Sequence, residues 1–167
     1  MADKPVVGIV LGSDSDLEVM QRCLDQLKDF DILCELRVLS AHRTPAAAHE
    51  YASTAAGRGL KVIIAAAGMS AALAGAMAAN TTLPVIGVPV PSGALAGVDA
   101  AVSTLQMPPG VPVACMSIGS AGANNAAILA AEILALSDGK LAQRLTEFKQ
   151  KQAAAVLQKD ASIGKKK

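Results

Sequence analysis

The chain has 167 residues, with 15 basic and 14 acidic side chains and a net charge of +1. This length fits one domain large enough to bury a real core, and the charge leaves no basic stripe of the kind that tracks nucleic-acid phosphates. Hydrophobic residues make up 52% of the chain and charged ones 17%, which excludes disorder for its body.

Trp is absent, there are one Tyr and two Phe, and Ala supplies 34 residues. Aliphatic strands and small, closely approaching residues must therefore fill the core, and such surfaces continue readily into contacts between copies, so an oligomer is expected. Cys23, Cys34 and Cys115 are widely spaced and form no CxxC pair, which argues against a disulfide framework and a zinc site. Asp3 and Lys4 precede a short apolar run instead of a long one, so no secretory leader is expected and the reading is cytoplasmic. Val62–Ala79 carries no charge over 18 residues. Its change from β-branched to Ala-rich composition, with Gly68, Ser70 and Gly75, reads as strand, turn and buried helix and not as a membrane span.

In chain order, strands are expected at Val6–Leu11, Ile32–Leu39, Lys61–Ala66, Val85–Val88 and Val111–Met116. The first, third and fourth are almost unbroken Val/Ile, the pattern of strands buried on both faces. Ser15, three residues before Glu18, reads as a capping box opening the first helix. Thr44-Pro45 reads as N-cap and first residue of the second. Further helices are expected at Ala71–Ala79, Val98–Leu105 and Ala121–Leu136. Alternating strand and helix implies a parallel α/β sheet covered on both faces, and five strands suit a flavodoxin-like three-layer sandwich with order 2-1-3-4-5. From Gly139 to Gln158, Leu141, Leu145, Phe148, Gln152 and Val156 recur at helical spacing, giving an additional amphipathic C-terminal helix. Residues 1–158 are read as one domain that includes the C-terminal helix, and 159–167 as a polar, flexible tail.

In such a sheet ligands lie beyond the carboxyl ends of the strands, where the strand order reverses. That singles out three loops. Gly12, Ser13, Ser15 and Asp16 lie after the first strand, where a helix N-terminus and hydroxyls suit an anion and a carboxylate suits a ribose diol. The residues alone leave simple helix capping equally open there. Ser40-Ala41-His42-Arg43-Thr44-Pro45 follows the second strand; Arg43 suits bidentate phosphate binding and His42 suits proton transfer, against the blander reading of a capped helix start. Gly68, Ser70, Ala71 and Leu73 follow the third strand and either bring backbone against a ligand or close a dry pocket. Pro89–Ala94 and Met107–Gly110 are rigid loops able to complete a wall, Asn124 and Asn125 are caps or ligand contacts, and His49 is read as a surface residue without polar companions.

Gly12-Ser13-Asp14-Ser15-Asp16, Ser40–Pro45, Pro84–Val90, Leu105–Val113 and Ile118–Ala127, in that order, resemble the class I N5-carboxyaminoimidazole ribonucleotide mutases of purine biosynthesis. These are also called the catalytic subunit of phosphoribosylaminoimidazole carboxylase. The resemblance spans residues 5 to 158. It implies a cofactor-free reaction in which the carboxylate leaves the exocyclic nitrogen as CO2 and rejoins the ring at C4. It also implies that His42 is the acid/base, that Ser13, Asp16 and Arg43 bind the nucleotide, and that the assembly is a homo-octamer. No nucleic-acid or membrane partner is expected.

One stretch departs from that pattern. Where the family reads Gly-x-Ala-His-Leu-Pro-Gly, this chain has Met69-Ser70-Ala71-Ala72-Leu73-Ala74-Gly75, with Ala72 at the histidine position and Ala74 at the proline position. Ser70, Ala72 and Leu73 are similar instead to class II enzymes, which carboxylate aminoimidazole ribonucleotide directly with CO2. Direct carboxylation is therefore an alternative, and a non-catalytic assembly module is a third. A flavin carrier would need a stacking Trp or Tyr, and only Tyr51 is present, on an expected helix. A phospho-receiver would need an Asp ending the third strand, where Ala67-Gly68 stands.

Overall fold

The computed structural model describes residues 4–164. The chain divides into two compact units, one up to Ala130 and the other from Ala131 onward. In the first unit five parallel strands, β1 (Val7–Leu11), β2 (Cys34–Val38), β3 (Val62–Ala67), β4 (Val85–Pro89) and β5 (Ala114–Cys115), form one sheet of order β2-β1-β3-β4-β5. Val7 pairs with Cys34 on one side and Val62 on the other. This is the expected order, and β1 and β4 are buried at every residue.

The helices are α1 (Leu17–Asp29), α2 (Pro45–Arg58), α3 (Leu73–Ala78), α4 (Val98–Leu105) and α5 (Ser120–Ala135), the last of which continues into the second unit. Because β1 to β2 steps one way along the sheet and every later step goes the other way, right-handed crossovers put α1 on the face opposite α2, α3 and α4. Side-chain alternation along the strands feeds both faces. Val10, Ile63 and Ala65 pack in one cluster with Ala48, Tyr51, Ala52 and Ala55 of α2 and Leu73, Ala74 and Met77 of α3. Ile9, Leu11 and Ile64, also fully buried, point the other way.

Several element ends differ from those expected. A turn of 3-10 helix at Asp14–Asp16 precedes α1, and the capping box is Ser13 with Asp16, not Ser15 with Glu18. α3 starts at Leu73 instead of Ala71, because the Ala71 and Ala72 N–H groups bond two residues back, to the Met69 and Ser70 carbonyls at 2.9 and 2.7 Å. β5 shrinks to two residues, since Pro112 has no N–H to donate and the Val111 N–H closes a turn onto Pro108 O at 3.2 Å. Pro45 opens α2 as expected, but Thr44 makes no side-chain cap to it. The uncharged stretch from Val62 divides into β3 and α3, and no helix among the described residues is long and apolar enough to cross a membrane.

In the second unit α6 (Gly139–Gly164) is capped by Asp138, whose Oδ1 accepts the Lys140 and Leu141 N–H groups at 3.0 and 3.1 Å. Lys149 pairs with Glu132 at 2.9 Å. Leu141 and Leu145 are buried, whereas Val156, at the far end of the expected stripe, is exposed. The helix continues to Gly164, past the expected end at Gln158 and through most of the segment read as a flexible tail; residues 165–167 lie outside the described residues.

Two glycines in helices make opposite predictions. A Cβ on Gly122 in α5 would overlap the Ser117 carbonyl oxygen, a backbone atom with no rotamer to yield, whereas a Cβ on Gly57 in α2 would meet nothing within 4 Å. Gly122→Ala should destabilise the fold by about 3 kcal/mol or more, the upper end of overpacking. Gly57→Ala should stabilise it by about 0.5–1 kcal/mol through helix propensity. Urea melts of the two variants check both signs.

Candidate functional site

All five strands run parallel, so their carboxyl ends share one edge of the sheet. The loops leaving β1, β2, β3 and β4 along that edge enclose an open cavity of about 660 Å³. Gly12, Ser13, Ser15 and Asp16 line it from the β1 loop, and Ser40, Ala41, His42 and Arg43 from the β2 loop. Ala67, Gly68, Met69, Ser70, Ala72 and Leu73 line it after β3, and Ser92 after β4. Of the candidate site residues Gly12, Ser13, Ser15, Asp16, Ser40, His42, Arg43, Gly68, Ser70, Ala71 and Leu73, Ala71 alone lies outside the lining: it is 3% exposed and belongs to the core. Asn124 and Asn125 lie within α5, neither capping it nor lining the cavity.

The β1 loop resolves the choice between capping and binding residue by residue. Asp14 is exposed and spends its Oδ1 locally, on the Ser13 hydroxyl at 3.1 Å and the Ser15 N–H at 3.0 Å. The Ser15 hydroxyl donates to Ser13 Oγ at 2.9 Å. Asp16 does both jobs: its Oδ2 accepts the Ser13 N–H at 3.0 Å while the side chain lines the cavity at 6% exposure. Burial pushes the Asp16 carboxyl above its ordinary value, against the lowering effect of the Ser13 and Gly12 N–H groups and of the Arg43 charge.

The β2 loop is locked before α2 begins. The Ser40 N–H donates to Thr44 Oγ1 at 2.9 Å, and the Thr44 hydroxyl donates back to Ser40 O at 3.1 Å, so Thr44 closes the loop instead of capping the helix. The Arg43 N–H bonds Ser40 Oγ at 3.1 Å. Arg43 Nη2 then reaches across to Gly12 O at 3.0 Å, tying the β2 loop to the β1 loop, while its Nε donates to Ser40 Oγ at 3.5 Å and the side chain lines the cavity. His42 is exposed, lines the cavity and has no hydrogen-bond partner among the described residues. His49 is exposed as expected but does have a polar companion, since its Nδ1 lies 2.7 Å from Asn80 Oδ1.

The β3 side is apolar apart from Ser70. Met69 holds a left-handed backbone with φ of 54°, and Leu73, 2% exposed, forms part of the floor. Sequence reasoning picked the loop but not Ala67, Met69 or Ala72 as its lining, and it treated Ser92 only as part of a wall. The signal for Ser92 was its place just beyond the carboxyl end of β4, the same rule that located the other loops.

The Asp16 shift carries a stability prediction. A folded-state carboxyl raised above its ordinary 3.8 binds its proton more tightly than the unfolded chain does. Stability is therefore lost as pH climbs from that ordinary value through the raised one. Asp16→Asn, which keeps an acceptor for the Ser13 N–H, should raise the melting temperature at neutral pH, with the gain fading as pH falls through that window. Thermal melts across pH test it; a variant less stable than the parent at neutral pH contradicts it.

Residues 6–155 match the AIR carboxylase family. The chain is 54% identical over 155 residues to the N5-carboxyaminoimidazole ribonucleotide mutase of Bacillus subtilis, covering 93% of this chain and 96% of that protein. It is 52% identical over 161 residues to the protein of the same name from Mycobacterium tuberculosis, covering 96% and 91%. Its fold is similar to the crystal structure of Treponema denticola PurE, with a TM-score of 0.82 at 31% identity over 95% of this chain and 98% of that one. With the family matched along nearly its whole length and its motifs gathered around one cavity, the chain belongs to the AIR carboxylase family.

Proposed function

We propose that this chain is a mutase of purine biosynthesis, converting N5-carboxyaminoimidazole ribonucleotide to 4-carboxy-5-aminoimidazole ribonucleotide. The observation that carries the reading is the cavity at the strand ends, where Arg43, Ser13 and Asp16 converge beside an unpartnered imidazole, in a chain that shares half its residues with named mutases.

The chemistry follows the distribution of polarity. The Arg43 guanidinium brings a positive charge to the cavity and the Ser13 hydroxyl turns from Asp14 Oδ1 to join it, which together suit the phosphate; Asp16 accepts from the ribose hydroxyls. With the nucleotide held, the exocyclic N–C bond breaks, CO2 departs, and the nitrogen takes a proton from His42 as imidazolium. Ring carbon C4 then attacks CO2, and the C4 proton returns to His42 as the ring regains aromaticity. The two transfers cancel, so His42 ends as it began and no external oxidant, reductant or metal enters the balance. Met69, Ala72 and Leu73 supply an apolar wall that holds CO2 near C4. Direct carboxylation, drawn from Ser70, Ala72 and Leu73, is the lesser reading, because relatives identical at about half their positions carry the mutase name.

The assembly is proposed to be a cytoplasmic homo-octamer. What supports self-association is the outer face of α4: Val98, Val102 and Leu105, at helical spacing, are each more than half exposed, with Leu95 beside them.

His42→Asn should leave nucleotide affinity within a few-fold and lower turnover about a hundredfold or more, the reach of a lost acid/base. Near-normal turnover would remove His42 from the mechanism. Arg43→Ala should weaken nucleotide binding by about 2 kcal/mol, read by calorimetry, and unchanged affinity would place the phosphate elsewhere. Light scattering should return the mass of eight 16.8 kDa chains, and Val102→Glu with Leu105→Glu should lower it; a monomeric parent protein rejects the assembly.

A further inference from the structure

Among the groups lining the cavity, Ser92 is the one whose hydroxyl is buried without a protein hydrogen-bond partner among the described residues. It is held close against the end of β3: a Cβ on Gly68 would overlap Ser92 Oγ and stand 3.0 Å from Ser92 Cβ and 3.2 Å from Val90 O. Glycine at 68 is what admits the serine. An orphaned buried hydroxyl is costly, and alanine would fill the same space without that cost.

Its place in the sheet indicates the partner. In the order β2-β1-β3-β4, the loops of β2 and β4 stand three strand spacings of about 4.8 Å apart. Arg43 is at one end and Ser92 at the other. The Ser13 and Ser15 hydroxyls donate to Asp14 and to Ser13, and Ser40 Oγ accepts the Arg43 N–H, all on the β1 and β2 side with the phosphate anchor, whereas the β3 side offers Ala67, Met69, Ala72, Leu73 and the exposed Ser70. With phosphate at Arg43, the base lies toward β3 and β4. There the substrate and product each carry a carboxylate in need of a donor.

We infer that Ser92 is a specificity-determining residue, whose hydroxyl turns about χ1 to donate a hydrogen bond to the carboxylate of the bound nucleotide. This rests on the mutase reading and adds to it the group that distinguishes carboxylated from uncarboxylated aminoimidazole ribonucleotide.

The test is calorimetric titration of the parent protein, Ser92→Ala and Ser92→Cys with 4-carboxy-5-aminoimidazole ribonucleotide and with aminoimidazole ribonucleotide, alongside melts of the free proteins. In Ser92→Ala the affinity for the carboxylated nucleotide should fall about tenfold while that for the uncarboxylated one stays within twofold. The free variant should melt no lower than the parent, because it loses an unpaired polar group. Ser92→Cys keeps the packing with a weak donor and should lose the same preference, so the test survives if the alanine variant fails to fold. A preference unchanged in either folded variant, or a lowered melt with both nucleotides equally affected, overturns the inference. A parent protein that binds neither nucleotide overturns the mutase reading itself, and this inference with it.

Discussion

The reversal of direction between β1 and β3 is the constraint from which the site follows. The chain lays β2 on one side of β1 and then crosses back to place β3 on the other, so the loop leaving β1 heads to one face of the sheet and the loop leaving β3 to the other, and a cleft opens between them. The Arg43 to Gly12 bond at 3.0 Å then fixes the β2 loop onto the β1 loop. A long cationic side chain that would otherwise be free in solvent is thereby held at the mouth of the sheet, beside the Asp16 carboxylate. Helix capping serves the same end: Asp16 secures the first turn by accepting the Ser13 N–H and pays for its burial with a raised proton affinity.

Polarity across the cavity runs in one direction. The charged and acid/base groups come from the loops after β1 and β2, and the apolar surface from the loop after β3. A rearrangement that releases and recaptures CO2 needs both, a firm anchor for the nucleotide and a dry region for the gas. Ala72, where a second histidine is usual in the resembling family, makes His42 the only imidazole lining this cavity. On this account both proton movements fall to that one side chain, which is consistent with a cycle that returns it to its starting state.

Much of this was legible in the residues. Near-continuous Val/Ile runs at Val6–Leu11 and Val85–Val88 specified strands buried on both faces, and the alternation of strand and helix specified the parallel order. The Gly12–Asp16 and Ser40–Pro45 loops stood out because capping residues, a guanidinium and an imidazole are unusual company at strand ends. What was not legible depended on close geometry. Ser13 and Ser15 each precede an acidic residue by three positions, and only the local fold selects Ser13 with Asp16 as the box. Thr44 has the type of an N-cap, yet Ser40 captures its hydroxyl first. The burial of Ala71 beside an exposed Ala72 turns on two short backbone bonds after Met69, which composition does not encode. Ser92 gains its significance only from a contact with Gly68, distant in sequence.

The central claim, that this cavity moves a carboxylate within one bound nucleotide, is tested most directly by following a labelled carbon. Two samples are compared by NMR: protein with 13C-carboxylated N5-carboxyaminoimidazole ribonucleotide and no bicarbonate, and protein with aminoimidazole ribonucleotide, labelled bicarbonate and carbonic anhydrase. The account predicts label at C4 in the first sample faster than spontaneous decarboxylation can supply free CO2. Product in the second sample alone would contradict it, and would assign the chemistry to direct carboxylation governed by the Ser70–Leu73 stretch.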